Sequence, residues 1–171
     1  AEEYRRNDPL VYSMSLAEDF VISAIYPPGL ADEVIGLDLM AHPERREIVR
    51  RTLESGKTFV AGPVTLVEGG EAFISYTPVY DRTDPDNAEV WGMSDIVIPS
   101  GALLAEAGLE PRVNGLKLAL RGVDGAGADG PVFWGDPGVF GEEHVAVAVP
   151  LPAGEWILAA APVDGSLAAS P

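Results

Sequence analysis

The residues able to do chemistry in this chain are few, and their spacing does not suit a catalyst. It contains no cysteine and two histidines, His42 and His144, so thiolate catalysis, disulfides and cysteine–zinc sites are excluded. A serine or threonine nucleophile needs an adjacent base. His42 directly precedes Pro43 at the opening of a helix and reads as exposed. His144 follows Glu142-Glu143 at the edge of a strand and reads as solvated. No activated nucleophile or oxyanion motif accompanies either one. The domain therefore reads as non-enzymatic, with no cofactor and no metal expected, and a small hydrolase as the weakest alternative.

Two further patterns dissolve on inspection. Gly125-Ala126-Gly127-Ala128-Asp129-Gly130 matches G-x-G-x-x-G, but the strand-like Pro131-Val132-Phe133-Trp134 follows it. A dinucleotide site needs a helix there to offer its N-terminus to phosphate, so the glycines read as a hairpin loop. Asp81, Asp84, Asp86, Asn87 and Glu89 alternate as calcium ligands can, but lack the mid-loop glycine, and read as a solvated acidic loop.

Asp38 is the more informative carboxylate. It lies in Val34-Ile35-Gly36-Leu37-Asp38-Leu39-Met40, among apolar residues and glycine, and reads as buried. A buried acid is costly unless something pairs with it. Two roles fit. It can cap a turn by accepting the N–H groups of Met40 and Ala41, or face a cavity and accept an N–H or amine from a ligand.

The elements that must position such a site follow from periodicity and breakers. Residues 2–7 read as the end of a helix, stopped by Asp8-Pro9. Strands over 10–16 and 20–26 flank Ala17-Glu18-Asp19 and form a hairpin. Pro43 opens an arginine-rich helix that runs to Ser55 and stops at Gly56. Its Arg45, Arg46, Arg50 and Arg51 read mainly as partners of Glu44, Glu47 and Glu54. Strands over 58–61 (resuming at 64–67), 72–80 and 90–98 come next, the first two joined tightly by Gly69-Gly70. Ser100 caps a short helix closed by Gly108. Strands over 116–123, 132–134, 144–151 and 156–163 complete the chain.

The order implies an α+β fold: an antiparallel PAS-like module over residues 9–98 and a smaller PAS-like or β-rich module over 99–165. Residues 1–8 read as the end of a truncated helix and 166–171 as a linker. Tyr26, Met40, Phe73, Ser75, Thr77, Trp91 and Met93 are expected to wall a pocket, from their places on strands taken to face inward.

Composition narrows the partners. The chain has 171 residues, 47% of them hydrophobic, enough for one cored domain or two small ones. Acidic residues outnumber basic ones 27 to 11, for a formal charge of −16. Such a field repels nucleic acid and anionic lipid. No apolar run approaches the roughly 20 residues that span a bilayer, and no signal peptide is legible at the start. The chain reads as a fragment of something longer or fully processed.

An ordered set of short motifs resembles CHASE domains: Ala24-Ile25-Tyr26-Pro27, Ile35-Gly36-Leu37-Asp38, Pro43-Glu44-Arg45-Arg46, Thr52-Leu53-Glu54-Ser55-Gly56-Lys57, Gly62-Pro63-Val64-Thr65-Leu66-Val67 and Thr77-Pro78-Val79-Tyr80. Trp91-Gly92-Met93-Ser94, Arg121-Gly122, Phe133-Trp134-Gly135-Asp136 and Leu151-Pro152-Ala153-Gly154-Glu155-Trp156 continue it in the same order. The resemblance implies an extracytoplasmic, periplasmic sensor of a membrane-anchored receptor, whose ligand regulates a histidine kinase or cyclase output domain. It implies a homodimer through a longer N-terminal helix, and membrane segments outside this sequence. In cytokinin-binding members an aspartate at the position of Asp38 holds the ligand, helped by backbone groups of the strand at Val60. Gly69-Gly70 departs from those members by offering no hydroxyl, and Ala31 stands where many bacterial members have Asn. A protein-interaction module that binds no metabolite stays open as the alternative.

Overall fold

The computed structural model describes residues 10–66, 70–83 and 88–164. The expected N-terminal helix, most of the glycine turn, Asp84, Asp86 and Asn87 of the acidic loop, and the tail linker lie outside them. The chain divides after Ala102 into two compact units.

The first unit is a five-stranded antiparallel sheet in the order β2-β1-β5-β4-β3. β1 (Ser13–Glu18) and β2 (Val21–Tyr26) form the expected hairpin. Its turn is Asp19-Phe20, at φ 47° and 67°, rather than Ala17-Glu18-Asp19. Positive φ at both central residues gives a two-residue loop the twist that strand pairs prefer. Opposite Leu16 and Ala17 the register slips, leaving Ser23 as an extra residue in β2. That bulge turns both Ile22 and Ile25 toward the same side.

From β2 the chain crosses over through α1 (Ala31–Val34) and α2 (Pro43–Ser55). α2 ends as predicted: Gly56 takes φ 62° and its N–H reaches the carbonyls of Thr52 and Leu53. Val49 and Thr52 are fully buried on its inner side. The Thr52 hydroxyl donates to the Ile48 carbonyl at 2.8 Å, so the buried polar group is satisfied. The Arg51 guanidinium stacks 4.5 Å from the Phe59 ring centroid, a cation–π contact that holds the helix to β3 (Phe59–Thr65).

β3, β4 (Glu71–Asp81) and β5 (Glu89–Pro99) form a meander, and β5 pairs with β1 to become the central strand. A Cβ at Gly92 would stand 2.0 Å from the Ala17 carbonyl oxygen, so glycine there permits the close β1–β5 approach. α3 (Ser100–Glu106) follows. The Ser100 hydroxyl donates to the Glu71 carbonyl at 3.1 Å, tying helix to strand instead of serving as the expected cap.

The second unit holds β6 (Arg112–Val113), β7 (Leu116–Arg121), β8 (Val132–Gly135), β9 (Val145–Pro150) and β10 (Glu155–Pro162). Their order is β6-β7-β10-β9, with β8 sharing the β6 edge of β7. β6 was not legible; two residues carry no period. The glycine motif forms two short 3-10 turns and leads into β8, so no helix N-terminus is available to phosphate. One buried cluster here joins Ala119, Val139, Ala159 and Ala161, with Val132 and Phe140 against it, and Leu118, Leu120 and Trp156 are buried as well.

Candidate functional site

In a central strand, one side chain in every two meets whatever covers the sheet. In the first unit, the face lined by Ser13 and Ser15 of β1, Asp95 and Val97 of β5, and Ile74 and Tyr76 of β4 encloses a cavity of about 570 Å³. Ile22 and Ile25 close it on the β2 side, and Ala61 and Val64 on the β3 side. Leu30, Val34 and the start of α2, with His42, Glu44, Arg45 and Ile48, cover it. The volume lies within the roughly 300–1,000 Å³ of small-molecule pockets, and apolar walls with few polar groups are their usual lining.

Asp95 is the polar centre of that lining. It lies between Ser15 of β1 and Tyr76 of β4 in direct cross-strand register. The residue is buried, and its Oδ2 accepts the Ser15 hydroxyl at 2.7 Å. Burial pushes its carboxyl above the usual carboxylate range, against the lowering effects of the Ser15 hydrogen bond and the Arg45 charge. The sheet thus holds an acid whose charged form has one side-chain donor and lacks a direct ion pair among the described residues.

Asp38 stands elsewhere. It is exposed rather than buried, and its Oδ1 accepts the N–H groups of Met40 at 2.7 Å and Ala41 at 3.1 Å. Apolar sequence neighbours do not bury it because the segment is a turn bridged to Val21, where side chains diverge. Met40 is exposed as well, and its carbonyl accepts the Arg46 Nε at 2.6 Å. Neither residue lines the cavity.

The other expected wall residues also fall outside the lining, mostly by one position. Phe73, Ser75 and Thr77 alternate with Ile74 and Tyr76 and so occupy the opposite face of β4. Val60 pairs with Ser75 on that opposite face, whereas Ala61 pairs with Ile74 on the cavity side. Tyr26 pairs with Met14, one step from the Ser15–Ile25 pair that faces inward. Met93 and Trp91 have the parity of Asp95 but lie further along β5. Met93 is fully buried in register with Ala17 and Pro78, past the end of the cavity. Trp91 is half-buried, and its carbonyl accepts the Asp19 N–H.

Asp95 was legible by the same signal that pointed to Asp38. Met93-Ser94-Asp95-Ile96-Val97-Ile98 is an acid within an apolar run, and this run has strand length. Burial follows from a central strand far more reliably than from a turn. The helix arginines divide by role. Arg50 pairs with Glu47, at 2.6 Å, and with Glu54, which lowers the Glu47 carboxyl and raises the guanidinium. Arg45 instead lines the cavity and makes no hydrogen bond or ion pair among the described residues. Those residues also hold no cluster of metal-ligating side chains.

An antiparallel sheet with a helix-covered cavity around one buried acid is the architecture of a ligand-binding domain. The profile of the CHASE domain family matches residues 3–134, and the chain belongs to that family of extracellular sensor domains. No curated protein matches it in sequence. Among solved structures, an extracellular ligand binding receptor from Desulfohalobium retbaense is similar in fold, with TM-score 0.65 and 14% identity over 93% of this chain. The chain spans 31% of that receptor's length. The ligand-binding domain of the Pseudomonas aeruginosa amino acid chemoreceptor PctC, in complex with GABA, matches with TM-score 0.57 and 14% identity, over 89% of this chain and 74% of that one. The extracellular domain of a protein named as the histidine kinase rpHK1S-Z16 matches with TM-score 0.58 and 14% identity, over 98% of this chain and 77% of that one. No helix among the described residues is long and apolar enough to cross a membrane.

Proposed function

We propose that this domain is the extracytoplasmic small-molecule sensor of a membrane-anchored receptor, and that the ligand sits in the α2-covered cavity of the first unit. The observation that carries the reading is the buried Asp95 facing a cavity of about 570 Å³. A protein has little reason to keep an under-paired acid in its core unless something else satisfies it. The strand order β2-β1-β5-β4-β3, with its helices in the β2–β3 connection, supports a PAS-like distal module. The second unit reads as its smaller companion.

Ligand contacts in this reading come from Asp95, Ser15, Tyr76 and Ala61 rather than from Phe73, Ser75, Thr77 and Val60. Asp38 serves as a turn cap that fixes the entry to α2. Binding shifts a conformational equilibrium by its differential affinity for two states. In the whole receptor, a homodimer through its N-terminal helix passes that shift to a kinase or cyclase output domain. The recorded GABA complex of PctC is in keeping with a small ligand.

Titrating the domain with amines, purines and amino acids by calorimetry tests the proposal. At least one compound is expected to bind, and Ile25→Trp, which fills the cavity from the β2 side, is expected to abolish that binding while the thermal transition stays cooperative. A binder that tolerates both Ile25→Trp and Asp95→Asn overturns the reading.

A further inference from the structure

The cavity has two poles of opposite charge. Asp95 lies at the floor, in the middle of the sheet, and Arg45 reaches in from the first turn of α2 above it. The Arg45 charge acts on Asp95, yet no hydrogen bond or ion pair joins them, and Arg45 has no other such partner among the described residues. Two opposite charges that face one cavity without closing on each other leave a gap between them.

We propose that the occupant of this gap is a small zwitterion, with its ammonium on Asp95 and its carboxylate on Arg45. This rests on the cavity being the ligand site, and it names the chemical class that site takes. The alternatives each leave a charge uncompensated. A monocarboxylate would meet Arg45 favourably but crowd the buried acid. A simple amine would satisfy Asp95 while facing the guanidinium. A neutral ligand would supply a counter-charge to neither group, and desolvated uncompensated charge is strongly disfavoured. A zwitterion places a charge-assisted hydrogen bond at each end.

The other charged or titratable groups at the cavity do not upset this balance. His42 and Glu44 are exposed at its mouth, where solvent screens them. Tyr12 and Tyr76 also line the cavity and bring hydroxyl groups to it. Ser15 acts as a positioning residue, its hydroxyl donating to Oδ2 of Asp95 at 2.7 Å.

The test is a calorimetric panel. It comprises the common L-amino acids, ω-amino acids of about four to six carbons, the corresponding decarboxylated amines and deaminated acids, α,ω-diamines and purines. The expected result is a zwitterion that binds while its matched amine and matched acid each bind about 100-fold more weakly, close to 3 kcal/mol per pole. Arg45→Ala is expected to erase the preference for zwitterion over amine, and Arg45→Glu to reverse it in favour of the matching diamine. Arg45 is on a helix surface and outside the buried core, so both variants should fold, with circular dichroism as the check.

Binding of only an amine, an acid or a purine, lost in Asp95→Asn, overturns the zwitterion while leaving the cavity as the ligand site. A zwitterion bound with unchanged affinity by both Arg45→Glu and Asp95→Asn overturns the two together, as does a panel without any binder.

Discussion

Asp95 and Ser15 face each other across β5 and β1, and their pairing sets what the site can do and what it costs the fold. Because burial raises the Asp95 carboxyl, the folded chain binds a proton there more tightly than the unfolded chain does. With more protons bound to the native state, stability falls as pH rises from the ordinary carboxylate value, near 4, through the raised one. Asp95→Asn keeps the shape and the Ser15 hydrogen bond but has no charge to desolvate. The variant is expected to unfold at higher temperature than the parent at neutral pH and to lose this component of the pH dependence. Melting both proteins across that range by calorimetry checks it. A variant less stable than the parent at neutral pH would contradict a desolvated carboxylate. Ser15→Ala removes the donor and should weaken ligand binding by about three- to tenfold, since the net contribution of a hydrogen bond is about 0.5–1.5 kcal/mol; competition titration reads it out.

Strand register decides at the next scale which of these residues can meet. β1 and β5 lie close at Gly92, where any Cβ would strike the Ala17 backbone. Gly92→Ala is therefore expected to destabilise the first unit by about 1–3 kcal/mol or more and to weaken ligand binding by disturbing the Ser15–Asp95 register. Urea denaturation and titration of the same sample measure both, and a variant within about 0.5 kcal/mol of the parent would show that the approach is not tight. Elements with strong local signals were legible in the sequence. α2 is bounded by Pro43 and Gly56, and β4 and β5 by turns, so their existence and approximate ends could be read directly. The facing of those strands could not. Ala72, Phe73 and Ile74 are all buried, so the first half of β4 carries no facing signal, although Ile74-Ser75-Tyr76-Thr77 beyond it does alternate apolar and polar. Phe73, Ser75 and Thr77 stand one residue from Ile74 and Tyr76, and with a period of two that single step puts them on the face away from the cavity. Asp38 misled for a related reason. Neighbours in sequence bury a residue only when tertiary contacts close over it, and its turn stays open.

The whole molecule carries a charge of −16 that no local feature explains. Self-repulsion of that size opposes compaction and is relieved by salt or by protonating carboxylates. Raising ionic strength to about 0.5 M should therefore raise the melting temperature at neutral pH. Moving from neutral to mildly acid pH should raise it as well, in the same direction as the Asp95 contribution. Asp95→Asn separates the two effects, because it removes the local part and leaves the global part. A field of that sign disfavours contact with polyanionic surfaces, and the half-buried Arg45 sets one cationic group in the cavity lining against it. Family membership could be read from ordered short motifs, yet the carboxylate those motifs emphasise is not the one the fold encloses.

The central claim is that Asp95, and not Asp38, holds the ligand. Its most direct test is a calorimetric titration of the tightest compound from the panel into the parent domain, Asp95→Asn and Asp38→Asn, with folding of each verified beforehand. Loss of about 100-fold in affinity for Asp95→Asn, with Asp38→Asn within about threefold of the parent, is the predicted result. The reverse pattern, with Asp38→Asn abolishing binding and Asp95→Asn leaving it intact, would contradict the account.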